Sequence, residues 1–206
     1  MPLTVFQTIR LSGLGAVAML GLAALSFGAR AEPATSPGAT APRYDANNEL
    51  LLPNGFESWV FVGSNLGLAY TTDPRRGAGE APRFHNVYIN PEAYAHFLRT
   101  GEFPEPTILV MEQFVSADKE PRGVLSAGSY NGQMVGVEVA VKNSARPDKV
   151  KTPWAYYDFT DRLDPKKALG RAPAFPDEAC ETCHRQHASR DNVWVQFYPR
   201  LREAIK

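Results

Sequence analysis

From Leu50 onward, short runs of β-branched and aromatic residues alternate with clusters of turn residues. Trp59-Val60-Phe61-Val62 reads as a short apolar strand. Phe84 to Ile89 alternates between two sets, Phe84, Asn86, Tyr88 and His85, Val87, Ile89, and ends at Asn90-Pro91, which predicts another strand. Asn90 stands where it can cap a helix that starts at Pro91, runs through Ala93, Tyr94, Phe97 and Leu98, and stops at Gly101. Thr107 to Ala117, Val124 to Tyr130, Met134 to Asn143 and Trp154 to Phe159 read as further strands. Their connections are short or contain one helix, which favours antiparallel over parallel pairing. Asp177 stands where it can cap a helix holding Cys180 to His187, and a second short helix is predicted after Pro199. The predicted fold is mainly β (α+β): an antiparallel sheet with a few helices, the C-terminal one carrying the chain's only two cysteines.

The start of the chain differs from the rest. Residues 1–31 read as a secretory signal peptide: Arg10 precedes an apolar run from Leu11 to Ala29, and Ala29-Arg30-Ala31 has the small-x-small form of a cleavage site. Cleavage after Ala31 makes the mature protein exported and periplasmic, with no membrane association afterwards; an uncleaved anchor is the competing reading. Residues 32–48, rich in Pro, Ala, Thr and Gly, read as a flexible linker, and residues 49–206 as one domain. Ala69 to Pro82 and Ser144 to Pro153 read as surface loops. The whole chain carries 22 basic and 22 acidic residues. The leader removes Arg10 and Arg30 and no acid, so the remainder is nearly neutral, which gives no hint of nucleic acid or of an anionic membrane surface as a partner.

The chemistry lies in Cys180-Glu181-Thr182-Cys183-His184. Cys-x-x-Cys-His is the attachment sequence of a c-type haem. Two cysteines three apart lie on one face of a helical turn, where each reaches one vinyl group of the porphyrin, and the next histidine can donate a nitrogen to the iron. A redox dithiol would want a strand immediately before the motif, and Arg171 to Asp177 reads as a loop instead. A zinc site would need a second pair of strong ligands. A disulfide across two residues closes almost no loop and would stabilise little. Export and haem attachment support each other, so one covalently bound haem c is expected, held by Cys180 and Cys183 with His184 on the iron.

The opposite side of the iron decides the function. No methionine follows His184, so a sixth ligand must come from upstream, where Met111, Met134, His85 and His96 stand. His187 shares the helix of His184 and cannot reach the other haem face. His96 reads as a solvent-edge residue. His85 shares a face with Val87 and Ile89 and points inward, either as a hydrogen-bonded core residue or as a site residue. Met111 shares a face with Leu109, Gln113 and Val115, either as core filler or facing the iron.

The chain resembles the cytochrome P-460 and cytochrome c′-beta family from about Leu50 to Leu201. The residues that carry the resemblance are Trp59 to Gly63, Val87 to His96, Thr100 to Phe103, Thr107 to Val110, Gly136-Val137-Glu138, Val141 to Ser144, Cys180 to His184, and Phe197 to Leu201. The resemblance implies a homodimer of mostly antiparallel β-subunits, each with one haem c and a five-coordinate iron. It also implies one of two activities: hydroxylamine oxidation where a lysine is cross-linked to the haem, or binding of NO and other diatomics where it is not. The lysine belongs to a Thr-x-x-Val-Lys-Glu motif, and here Thr107-Ile108-Leu109-Val110-Met111-Glu112 puts methionine in its place. A thioether has no amine to attack the porphyrin edge, so an ordinary haem c without the lysyl bond is expected. The family's distal carboxylate falls on Glu138 of Gly136-Val137-Glu138.

A carboxylate in a mostly apolar pocket has its pKa raised by desolvation and can exchange protons near neutral pH. The competing reading is a solvated strand glutamate paired with Lys142. The combined expectation is binding of NO or similar diatomics, peroxidase-like turnover, or both, with Glu138, Met111 and His85 as the distal residues. Hydroxylamine oxidation, an electron carrier with Met111 on the iron and a periplasmic electron-transfer partner, and a haem-stabilised binding protein without chemistry remain as alternatives.

Overall fold

The computed structural model describes residues 40–69, 80–147 and 152–205. The expected leader and most of the expected linker therefore lie outside the described residues, as do parts of the two predicted surface loops. The linker's last residues fold back as a turn: Tyr44 bridges to Leu50, and the Asp45 carboxylate accepts hydrogen bonds from the backbone N–H groups of Asn47 and Glu49.

The fold is mainly β and antiparallel, as predicted. A two-residue strand β1 (Leu50–Leu51) precedes β2 (Val60–Leu66), β3 (Arg83–Ile89), helix α1 (Pro91–Thr100), β4 (Thr107–Lys119), β5 (Gly128–Lys142) and β6 (Trp154–Asp158). A short β7 (Arg171–Ala172) pairs with β1, and α2 (Glu181–His187) and α3 (Pro199–Arg202) follow. The main sheet runs β2-β3-β4-β5-β6, with every neighbouring pair antiparallel.

Two predicted details are corrected. Val124 to Tyr130 and Met134 to Asn143 are predicted as separate strands. One strand, Gly128–Lys142, takes in the end of the first and most of the second, while Val124 to Ala127 and Asn143 lie outside it. Between the pairs Phe114↔Met134 and Ser116↔Asn131, β5 carries one residue more than β4, a bulge that includes Gly132. A Cβ at Gly132 would stand 2.8 Å from the Val115 carbonyl oxygen, so glycine there permits the close approach of the two strands rather than a turn.

The caps also differ. The Asn90 side chain makes no cap bond; its Oδ1 accepts the Ile108 N–H at 2.8 Å and locks the β3–α1 junction to β4. Asp177 opens a 3₁₀ turn (Asp177–Ala179), and Cys180 holds the cap position of α2 without a side-chain cap bond. The predicted stop of α1 stands, with Gly101 in the left-handed region at φ 72°.

Strand alternation gives the sheet two unlike faces. Ile108, Val110, Val137, Val139, Val141, Ala155, Tyr157 and Phe159 form one buried layer with Leu50, Phe56 and Ala172. Val87, Ile89, Leu109, Trp154 and Tyr156 form the other with α1, Phe103 and the C-terminal segment from Val193 to Leu201. Gly63 lets that segment dock on β2, since a Cβ there would stand 2.9 Å from Pro199 Cδ.

Candidate haem site

The second face carries the candidate chemistry. One row across the sheet reads Val87, Met111, Glu138, Asp158, and the next reads His85, Gln113, Gly136. Register partners point to the same face, so Met111 and Glu138 stand side by side on the two central strands. His85 stands one row further along, in register with Gln113.

Glu138 is fixed by a neighbour that the sequence reading did not single out. Gln113 is 7 % exposed and donates from Nε2 to Glu138 Oε1 at 3.0 Å. The Gln113 Oε1 accepts from Arg83 at 3.3 Å, and Arg83 bonds Glu80 at 3.1 Å. With its oxygen turned to Arg83, the Gln113 amide must present its N–H to Glu138. Gly136 leaves room for Thr160 beside this pair, because a Cβ would stand 2.8 Å from Thr160 Oγ1. The proposed Glu138–Lys142 pair is not formed: Lys142 bonds the Phe103 carbonyl at 2.7 Å and Asp191 at 2.8 Å. The signal for Gln113 was available as a buried polar residue at alternating strand spacing. Nothing in the sequence marked Thr160.

His184 reaches the same face from α2. Its ring lies against Tyr156 of β6, centroids 4.4 Å apart, and edge-on to Trp194 at 5.4 Å. Tyr156 is in register with Ala140 and lies one row from the row of Glu138 and Asp158. His184 Nδ1 lies 2.8 Å from the Asn192 carbonyl oxygen. A carbonyl only accepts, so Nδ1 carries the proton and Nε2 keeps its lone pair. That lone pair faces the indole N–H of Trp194 at 3.4 Å. Burial pulls the imidazole below the usual histidine range, against the opposing pull of the Asn192 carbonyl. A neutral imidazole with Nδ1–H engaged and Nε2 unprotonated is the form that ligates iron, and here the Trp194 indole N–H stands where the iron would bind.

The other motif residues fit a haem as well. Cys180 and Cys183 are half-buried and are not joined in a disulfide. Cys180 packs against the apolar layer around Tyr156. Among the described residues no group of three or more His, Cys, Asp or Glu gathers to hold a bare metal ion, so the zinc reading finds no ligand set. A 3₁₀ turn, not a strand, leads into the motif, unlike the arrangement the dithiol reading requires. Glu181, inside the motif, is 4 % exposed and meets Arg185 Nε and Asn192 Nδ2, each at 3.4 Å. His187 is exposed and His96 half-buried on α1; neither is in the rows with Glu138.

A haem-attachment motif whose histidine packs on an antiparallel sheet, on the face that also carries Met111 and Glu138, defines a haem cytochrome built on β-structure. The sequence profile of the Cytochrome P460 family matches residues 53–195, and the chain belongs to that family. No curated protein matches it.

Proposed function

We propose that this is an exported, homodimeric cytochrome with one haem c, attached through Cys180 and Cys183 and ligated by His184 alone. With haem bound, it would bind NO or similar diatomics and reduce peroxide with two electrons from an external donor. The observation that carries the reading is the shared face: Met111 and Glu138 are register partners on the face where His184 packs. When bound, the haem supplies an iron that takes a small ligand and exchanges electrons with it.

The chain's own residues do the rest. His184 would hold the iron through Nε2, while the Asn192 carbonyl keeps its proton on Nδ1. Met111, partly buried against the apolar layer, would add an apolar group that favours neutral diatomics over hydrated anions. Glu138, aimed by Gln113, would accept a proton from a peroxide substrate and return it. Met111 has no amine, so neither a lysyl cross-link nor efficient hydroxylamine oxidation follows. Phe61 and Leu66, 42 % and 43 % exposed on edge strand β2, offer apolar surface to a second copy.

The test is Glu138→Gln in the haem-loaded protein. Haem loading and NO binding to the ferrous form stay at the parent level, and peroxide turnover falls by roughly 10²-fold or more. Unchanged peroxide kinetics would remove Glu138 from the reaction. A second reading uses the same register: Met111 as an axial ligand of an electron carrier, distinguished by a sulfur–iron charge-transfer band and refusal of added ligands.

A further inference from the structure

The turn that supplies the hydrogen-bond acceptor for His184 is built in an unusual way. Arg190 and Val193 exchange backbone hydrogen bonds, Val193 N to Arg190 O at 2.8 Å and the reverse at 3.4 Å. The two residues between them, Asp191 and Asn192, both have left-handed backbones, with φ 43° and 62°. Positive φ at both central positions makes this a type I′ turn, for which Asn-Gly is the favoured pair. Here no glycine is used. Both side chains carry contacts that glycine would lack.

The Asp191 carboxylate bonds Lys142 Nζ at 2.8 Å and the indole N–H of Trp154 at 3.0 Å. These two partners are themselves register neighbours on β5 and β6, and Trp154 is fully buried. Lys142 is held from a third side by the Phe103 carbonyl. Asn192 reaches the buried Glu181 within the haem motif through Nδ2. The turn is thereby fixed to the rigid sheet at one residue and to α2 at the next, and the carbonyl of the second is the one that meets His184 Nδ1.

We infer that Asp191 is a positioning residue for the iron ligand: through Lys142 and Trp154 it aims the Asn192 carbonyl at His184 and so sets the electron donation of that imidazole. The inference rests on His184 being the iron ligand. A firm Nδ1–H···O=C bond raises the basicity of the imidazole and favours the ferric state. A loosened acceptor weakens the iron–imidazole bond and raises the reduction potential.

The experiment measures the midpoint potential and the iron–imidazole stretching frequency of the ferrous haem-loaded protein. Asp191→Gly suits the positive φ and removes only the clamp. It is expected to load haem, to lower the stretching frequency and to raise the potential. Lys142→Met leaves the turn sequence intact and removes one arm, so a smaller shift in the same direction is expected; it carries the test should Asp191→Gly not load haem. Parent values in Asp191→Gly, or in Lys142→Met where only that variant loads haem, would overturn the inference alone. A parent protein with no iron–imidazole vibration would overturn it together with the ligand assignment.

Discussion

The two faces of the main sheet are made by the same strands and differ in almost every respect. On β4 and β5, Ile108, Val110, Val137, Val139 and Val141 face one way and are all at most 2 % exposed. The residues between them face the other way and include Leu109, Met111, Gln113, Glu138 and Lys142. One face is aliphatic at these five positions and gains stability from apolar burial. The other mixes apolar walls with polar groups that are hydrogen-bonded, Gln113 to Glu138 and Lys142 to Asp191. The first face keeps the second rigid, and the second is where the C-terminal segment brings His184. Both faces bury apolar layers, and strand parity puts Met111, Gln113 and Glu138 on the second.

That arrangement can be broken from either side. Glu138→Gln is the larger effect on chemistry, a loss of about 10²-fold in peroxide turnover with little change in melting temperature. Ile108→Ala is its converse. It empties space in the aliphatic face and costs about 2–5 kcal/mol by denaturant unfolding, while the absorption spectrum and NO affinity stay at parent values. Gly63→Ala joins the two effects: its Cβ would press on Pro199 Cδ at 2.9 Å, costing about 1–3 kcal/mol and loosening the segment that carries Trp194 and the Asn192 carbonyl. Calorimetry together with the haem spectrum should register both.

The smallest effect sharpens the comparison. Glu112 follows Met111 and points to the opposite face, beside Tyr88. Burial raises its carboxyl above the usual range, only partly offset by the Tyr88 hydrogen bond, and Tyr88 is pushed up to about 12 by burial and by Glu112. A carboxyl with a raised folded-state pKa favours folding while protonated, and that contribution fades as pH rises from the unfolded value through the folded one. Glu112→Gln should therefore raise the melting temperature at pH 7 and make no difference below about pH 3, where both states are protonated. An equal gain at both pH values would contradict this assignment.

Much of this arrangement was legible in the chain. Period-two alternation placed Met111 with Leu109 and Gln113, and His85 with Val87 and Ile89, on single faces. The resemblance carried Glu138, and the pentapeptide carried His184. The alternation could not show that the two sets meet in one row, because register depends on long-range pairing and on the bulge near Gly132. Asn131-Gly132 carries a strong turn signal, and the strand runs through it because glycine also suits close backbone approach. Asn90 looked like a cap, and a buried backbone N–H at Ile108 claimed its side chain instead. The Asn192 carbonyl had no sequence signal at all, since a backbone acceptor is independent of residue type.

The central claim is an iron held by one imidazole from His184 with nothing from the protein opposite it. Absorption and electron paramagnetic resonance of the purified protein, ferric, ferrous and ferrous with NO, test it in one series. A high-spin resting state that takes up NO without first losing a protein ligand is the predicted result. A low-spin resting state with a sulfur–iron band and no NO uptake would put Met111 on the iron and contradict the account.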